Sequence, residues 1–87
     1  MKKVWSDEAW EEYLYWQSQD KKTLKKINAL IKDIDRNGYR CQGKPEELKG
    51  NLSGYWSVRI DACNRIVFRI SEGKLEIWQC GSHYRDK

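Results

Sequence analysis

The sequence predicts an α+β fold in which an N-terminal strand and a two-helix hairpin pack on an antiparallel sheet. Three observations lead there. Apolar residues recur at three- and four-residue steps in the first half of the chain, and strict alternation replaces that period after Gly54. Between the two lies a Gly-containing stretch with no periodicity. Helices followed by a run of strands is the order of an α+β layer fold.

"KKVW" at the start is short and reads as an edge strand. Ser6 then opens "SDEAWEEYLYWQSQD", where a serine N-cap with Asp7 and Glu8 in the first turn favours a helix start. Trp10, Tyr13, Leu14 and Gln17 share one face of this helix, and Trp10 and Leu14 are expected to be its buried part. Asp20 caps a second helix, "KKTLKKINALIKDIDRNG", whose Leu24, Ile27, Leu30, Ile31 and Ile34 form one apolar stripe. Asn37-Gly38 is a C-terminal stop. The two helices follow each other closely enough to form a hairpin.

Residues 39–54, "YRCQGKPEELKGNLSG", contain the only Pro and three of the six Gly. They read as a loop with a short helical turn at "PEELK", and a loop of this length in a compact domain is often functional. The strands "YWSVRI", "RIVFRI" and "LEIWQC" follow. Alternation puts Val58, Ile60, Ile66, Phe68, Ile70, Leu75 and Ile77 on the face that covers the helices. The opposite face receives Ser57, Arg59, Arg65, Val67, Arg69, Glu76, Trp78 and Cys80. Antiparallel partners share a face, so an odd connection through "DAC" sets Arg59 opposite Arg65, and "SEGK" sets Ile70 opposite Leu75.

Length and composition bound what the chain can do. At 87 residues it is expected to be one domain spanning 1–87, with a small core. Five Trp and five Tyr offset the modest aliphatic content. No apolar run approaches the roughly 18 residues of a membrane span, and "MKKVWSDEAW" lacks the apolar segment of a secretory leader. Cys41, Cys63 and Cys80 are too widely spaced for a zinc pattern and suit free thiols in a reducing cytoplasm. The net charge of +4 suits a polyanion such as nucleic acid, although many basic domains bind none.

Two arginines directly opposite in neighbouring strands repel. An anion seated over Arg59 and Arg65 would relieve the repulsion; splaying into water or pairing with Glu76 would do so too. The loop before the strands offers Lys44, Glu46, Glu47 and Lys49, and the segment after "EIWQC" offers His83, the only histidine, and Tyr84. Converging on the Arg face, these groups suit RNA cleavage by the substrate's own 2′-hydroxyl. A carboxylate takes the 2′-OH proton, arginine stabilises charge on the non-bridging oxygens, and an imidazolium protonates the leaving 5′-oxygen. A phenol can stack on a base. Spacing alone does not dock the chain end, so ordinary surface roles stay open for all of them. A Cys80–His83 nucleophilic pair is set aside because RNA supplies its own nucleophile.

The segments "VWSDEAWEEYLYWQSQDKKTLKKINALIKD", "GKPEELKGNLSGYWSVRI", "NRIVFRI" and the closing "HY" together resemble the YoeB toxin family, within the RelE superfamily of mRNA interferases, over nearly the whole chain. The resemblance implies a fold like that of microbial ribonucleases and a single toxin domain. It implies a ribosome-dependent endoribonuclease of a type II toxin–antitoxin system, which cuts mRNA in the A site. Glu46 matches the general base, Arg65 the transition-state arginine and His83 the general acid; Lys49, Arg59 and Tyr84 match accessory RNA-binding positions. Glu47 matches none of them. No cofactor is implied, and Glu46 and His83 are too few ligands near the site for a stable metal centre. The expected partners are a YefM-like antitoxin, the ribosome with its mRNA, and operator DNA only through the antitoxin complex; a homodimer stays open, and no membrane is expected. Two departures stand out. Gly81 replaces a residue that is often basic in the family, and Arg85, Asp86 and Lys87 extend past the His-Tyr.

"KKTLKK" reads either as a contact with ribosomal RNA or as a solvated helix face. Trp5, Trp10, Trp16 and Trp56 are expected in the packing, and Trp78 on the Arg face. A non-catalytic ribosome-binding blocker and a ribosome-independent ribonuclease remain the competing readings.

Overall fold

The computed structural model describes residues 1–81. Strands β1 (Lys2–Trp5), β2 (Glu46–Glu47), β3 (Trp56–Arg59), β4 (Arg65–Ser71) and β5 (Lys74–Gly81) form one sheet in the order β1-β5-β4-β3-β2. Helices α1 (Asp7–Gln19) and α2 (Lys21–Asn37) pack against it. Each helix begins where the sequence places its cap: Ser6 accepts from Ala9 N at 3.0 Å, and Asp20 from Thr23 N at 3.1 Å. Gly38, at φ 62°, stops α2. Neighbouring strands are antiparallel except β1, which pairs parallel to β5 from Lys2↔Lys74 to Trp5↔Ile77.

The core lies between the helices and one face of the sheet. Ile27, Leu30, Ile31 and Ile34 of α2 meet Val58, Ile66, Phe68, Leu75 and Ile77. Three expectations are corrected. In α1 the residue that is fully buried is Ala9, while Trp10 and Leu14 remain 45% and 38% exposed. The small Ala9 lets the helix approach β5 closely; Trp10 instead joins Trp5 and Tyr13 in an aromatic cluster, with centroids 4.8–5.7 Å apart.

The second correction concerns "PEELK", which is not a helical turn. Glu46 and Glu47 pair with Ser57 and Trp56 as an edge strand, and a 3-10 turn follows at Gly50–Leu52. Pro45 has no N–H to donate, which a sheet edge tolerates at the start of a strand. The segment is zipped along β3: Arg59 N donates to Gly43 O at 2.8 Å and Leu48 N to Tyr55 O at 2.9 Å.

Thirdly, Cys80 faces the core rather than the arginines. Val67 pairs with Gln79 but Phe68 with Ile77, so Trp78 is an extra residue in β5. This bulge shifts the parity of the strand's last residues. Cys80 therefore meets Ile66 under the helices, and Gln79 takes the opposite face.

Gly43 has φ 88°, and a Cβ there would lie 3.1 Å from Val58 Cβ, 3.2 Å from Leu30 Cδ2 and 3.3 Å from Arg59 O. Gly43→Ala is expected to destabilise the fold by about 2 kcal/mol, from left-handed backbone strain and overpacking. Urea unfolding measures this; an unchanged midpoint would contradict it.

Candidate active site

The site is built on the sheet face away from the helices. Its first row is Arg59–Arg65–Gly81, directly opposite one another across β3, β4 and β5. The row beside it is Glu46–Ser57–Val67–Gln79, across β2 to β5. Glu46 opposes Ser57, two residues from Arg59 along β3. Glu46 and Arg59 are thus diagonal neighbours, a relation of about 7–8 Å that long side chains span.

The connection between β3 and β4 holds the arginine pair in register. Asp61 Oδ1 accepts from Cys63 N and Asn64 N at 2.8 Å and from Asn64 Nδ2 at 3.0 Å, and Ile60 N donates to Asn64 O at 2.8 Å. The Asn64 side chain and these amides hold the Asp61 carboxyl below its ordinary value. A group with a lowered folded value contributes stability that is present above its unfolded value, near pH 4, and lost as pH falls through the folded one. Wild type is therefore expected to lose more thermal stability than Asp61→Asn between about pH 5 and pH 3, because asparagine keeps an acceptor and has no charge to lose. Melting curves across that range check this; parallel losses would contradict it.

The charges on this face are not equivalent. Arg69 is bound to Glu76 and its guanidinium lies 4.9 Å from the centre of the Tyr55 ring. Glu76 is therefore engaged by Arg69. Among the described residues Arg59 and Arg65 have no carboxylate partner. Glu46, Lys49 and Arg59 are exposed and Arg65 is half-buried. Lys49 follows Leu48, which opposes Tyr55, so the register carries it away from Arg59. Glu46, Arg59 and Arg65 are brought together; Lys49 is not. His83 and Tyr84 lie outside the described residues.

Sequence reasoning placed Ser57 and Val67 on this face but missed Gln79 beside them. Ser57, Val67 and Gln79 are buried, and among the described residues Ser57 Oγ and Gln79 Oε1 lack a hydrogen-bond partner. Gln79 was legible in principle. Unbroken alternation would have set its amide among the aliphatic side chains under the helices, and the bulge turns it to the opposite face. No three His, Cys, Asp or Glu side chains cluster among the described residues as a metal centre requires. Cys41 is buried, which pushes its thiol up and keeps it protonated and unreactive. Among the described residues no helix is long and apolar enough to cross a membrane.

The profile of the "YoeB-like toxin of bacterial type II toxin-antitoxin system" family matches residues 5–84. The chain belongs to the YoeB toxin family. Toxin YoeB of Escherichia coli K12 is 51% identical over 97% of this chain and 100% of its own length. A YoeB/ParE toxin from Agrobacterium tumefaciens superposes with a TM-score of 0.92 at 46% identity, covering 97% of this chain and 100% of that one. The Staphylococcus aureus YoeB has been solved with YefM (TM-score 0.89, 45% identity, 97% and 98% covered) and as a dimer (0.88, 46%, 97% and 98%). The α+β architecture and the superfamily read from the sequence both stand.

Proposed function

We propose that this YoeB-family toxin is a ribosome-dependent endoribonuclease that cuts mRNA in the A site and so stops translation. The observation that carries the reading is the opposed Arg59–Arg65 pair, which has no carboxylate partner among the described residues and has Glu46 on the same face. Such a pair is an anion seat, and a phosphodiester with a neighbouring 2′-hydroxyl is the anion that Glu46 can act on.

Glu46 accepts the 2′-OH proton, and the 2′-oxygen attacks phosphorus in line. Arg65 stabilises the charge that grows on the non-bridging oxygens, and Arg59 holds the phosphate. His83 returns a proton to the departing 5′-oxygen, while Tyr84 stacks on a base and Lys49 contacts the backbone further along the message. Bond making and breaking occur within the RNA, leaving a 2′,3′-cyclic phosphate and a 5′-hydroxyl. Glu46 is exposed on an open face, so the ribosome is required to hold the message in line, and such positioning is worth several kcal/mol. The proposal extends to partners on the pattern of the Staphylococcus aureus relative solved with YefM and as a dimer: a YefM-like antitoxin that covers the site, with a homodimer as an open alternative.

Primer extension on a defined message, with and without ribosomes, tests this. New 5′ ends within A-site codons are expected with wild type and ribosomes, and are expected to vanish with Glu46→Gln and His83→Ala. Stalled translation without new ends would replace the enzyme with a ribosome-binding blocker. Ends on naked RNA would remove the ribosome requirement.

A further inference from the structure

β1 covers only part of the edge of β5. Their pairing ends at Trp5↔Ile77, where the chain turns into α1. Ser6 covers the next step: its N–H donates to Ile77 O at 3.0 Å and its hydroxyl to Trp78 O at 2.9 Å. Beyond that, α1 takes the place of a strand. Cys80 N donates to the Glu12 carboxylate at 3.0 Å, and Trp16 Nε1 donates to Cys80 O at 2.8 Å. The Cys80 thiol lies 3.4 Å from Ala9 O. Ala9, Glu12 and Trp16 form one helical stripe along the strand end.

What this clamp holds is the part of β5 closest to the chemistry. Gly81 is the next residue, directly opposite Arg65. His83 follows two residues later in the chain. Gly81 is also fitted to the clamp, because a Cβ at this position would come within 2.7 Å of Glu12 Oε2. Moving the carboxylate aside would cost its bond to Cys80 N. Glycine at this position and glutamate at position 12 thus fit as a pair.

We propose that Glu12 and Trp16 are positioning residues of the cleavage reaction. They fix the end of β5, and through it the strand beside Arg65. The inference rests on the cleavage reading given above. An end of β5 that frays would displace reacting groups by an ångström or so, and such a displacement costs up to about 100-fold in rate.

The test combines single-turnover cleavage on programmed ribosomes with hydrogen exchange of the Cys80 amide. Glu12→Ala is expected to lower the saturating rate by about 10–100-fold, with the half-saturating toxin concentration changed less than about twofold. Glu12→Gln keeps an acceptor oxygen and is expected to retain most of the rate. Gly81→Ala is expected to slow cleavage, and adding it to Glu12→Ala is expected to cost little more, since both break one contact. The Cys80 amide should exchange at least about tenfold faster in Glu12→Ala at a temperature where the domain stays folded. A wild-type rate in Glu12→Ala, or an equally protected Cys80 amide, would overturn the proposal. So would equal losses in Glu12→Gln and Glu12→Ala. A wild type that leaves messages uncut is seen before any variant is measured and overturns the cleavage reading instead.

Discussion

Arg65→Ala is expected to slow A-site cleavage by about 10²–10³-fold, the usual cost of removing a group aimed at charge that develops in the transition state. Arg65 lies in the central strand of its row, between Arg59 and Gly81, and is half-buried. Its guanidinium leaves from a fixed base, while Arg59, on the more exposed side, is expected to matter less. Lysine at position 65 keeps the charge but loses the planar fork, so Arg65→Lys should fall between alanine and wild type. Stability should move the other way. Two like charges directly opposite are unfavourable for the sheet, so removing one is expected to leave the unfolding midpoint unchanged or slightly raised. Cleavage rates with urea melts on the same preparations check both halves. A variant that cuts at the wild-type rate would remove Arg65 from the chemistry, and one that unfolds early would make it a structural residue.

This opposition of function to stability is partly legible in the sequence. The alternation of "RIVFRI" fixes which residues of β4 share a face, and an odd connection leaves Arg59 only one side on which to meet Arg65. Caps at Ser6 and Asp20 and the stop at Gly38 were legible because each depends on a single residue and its immediate neighbours. What failed depended on tertiary choices. The bulge at Trp78 flips Gln79 and Cys80 and leaves no trace in a pattern of period two. The burial of Ala9 ahead of Trp10 reflects how closely α1 approaches β5, which helical periodicity does not encode. Glu46 was assigned a role from its motif. Its place on the Arg face comes from an edge pairing of two residues, too short to show as alternation. Likewise, Glu12 and Trp16 read as ordinary helix residues until the edge of β5 they complete is known.

Phe68→Ala is expected to cost about 3–5 kcal/mol, the usual price of emptying a large aromatic site in a core. Phe68 is fully buried, opposed by Trp56 on β3 and Ile77 on β5, with the Tyr39 ring centred 5.8 Å away. Tyr39 is anchored on the same strand, where its hydroxyl accepts from Ile70 N at 2.8 Å. Collapse into the vacated space would therefore have to drag the α2–β2 connection with it. In a domain whose whole margin is about 5–10 kcal/mol, this is a fall in melting temperature of about 15–30 °C. Phe68 projects from β4 toward the helices, opposite in face to Arg65 on the same strand. Cleavage measured well below the variant's melting temperature should therefore stay within a few-fold of wild type, as about 10²-fold losses are reserved for groups that meet or position the reacting atoms. Thermal melts paired with low-temperature cleavage decide it. A stable Phe68→Ala would mean that the core relaxes around the missing ring. A folded variant with a rate as low as that of Arg65→Ala would mean that the two faces of β4 are coupled.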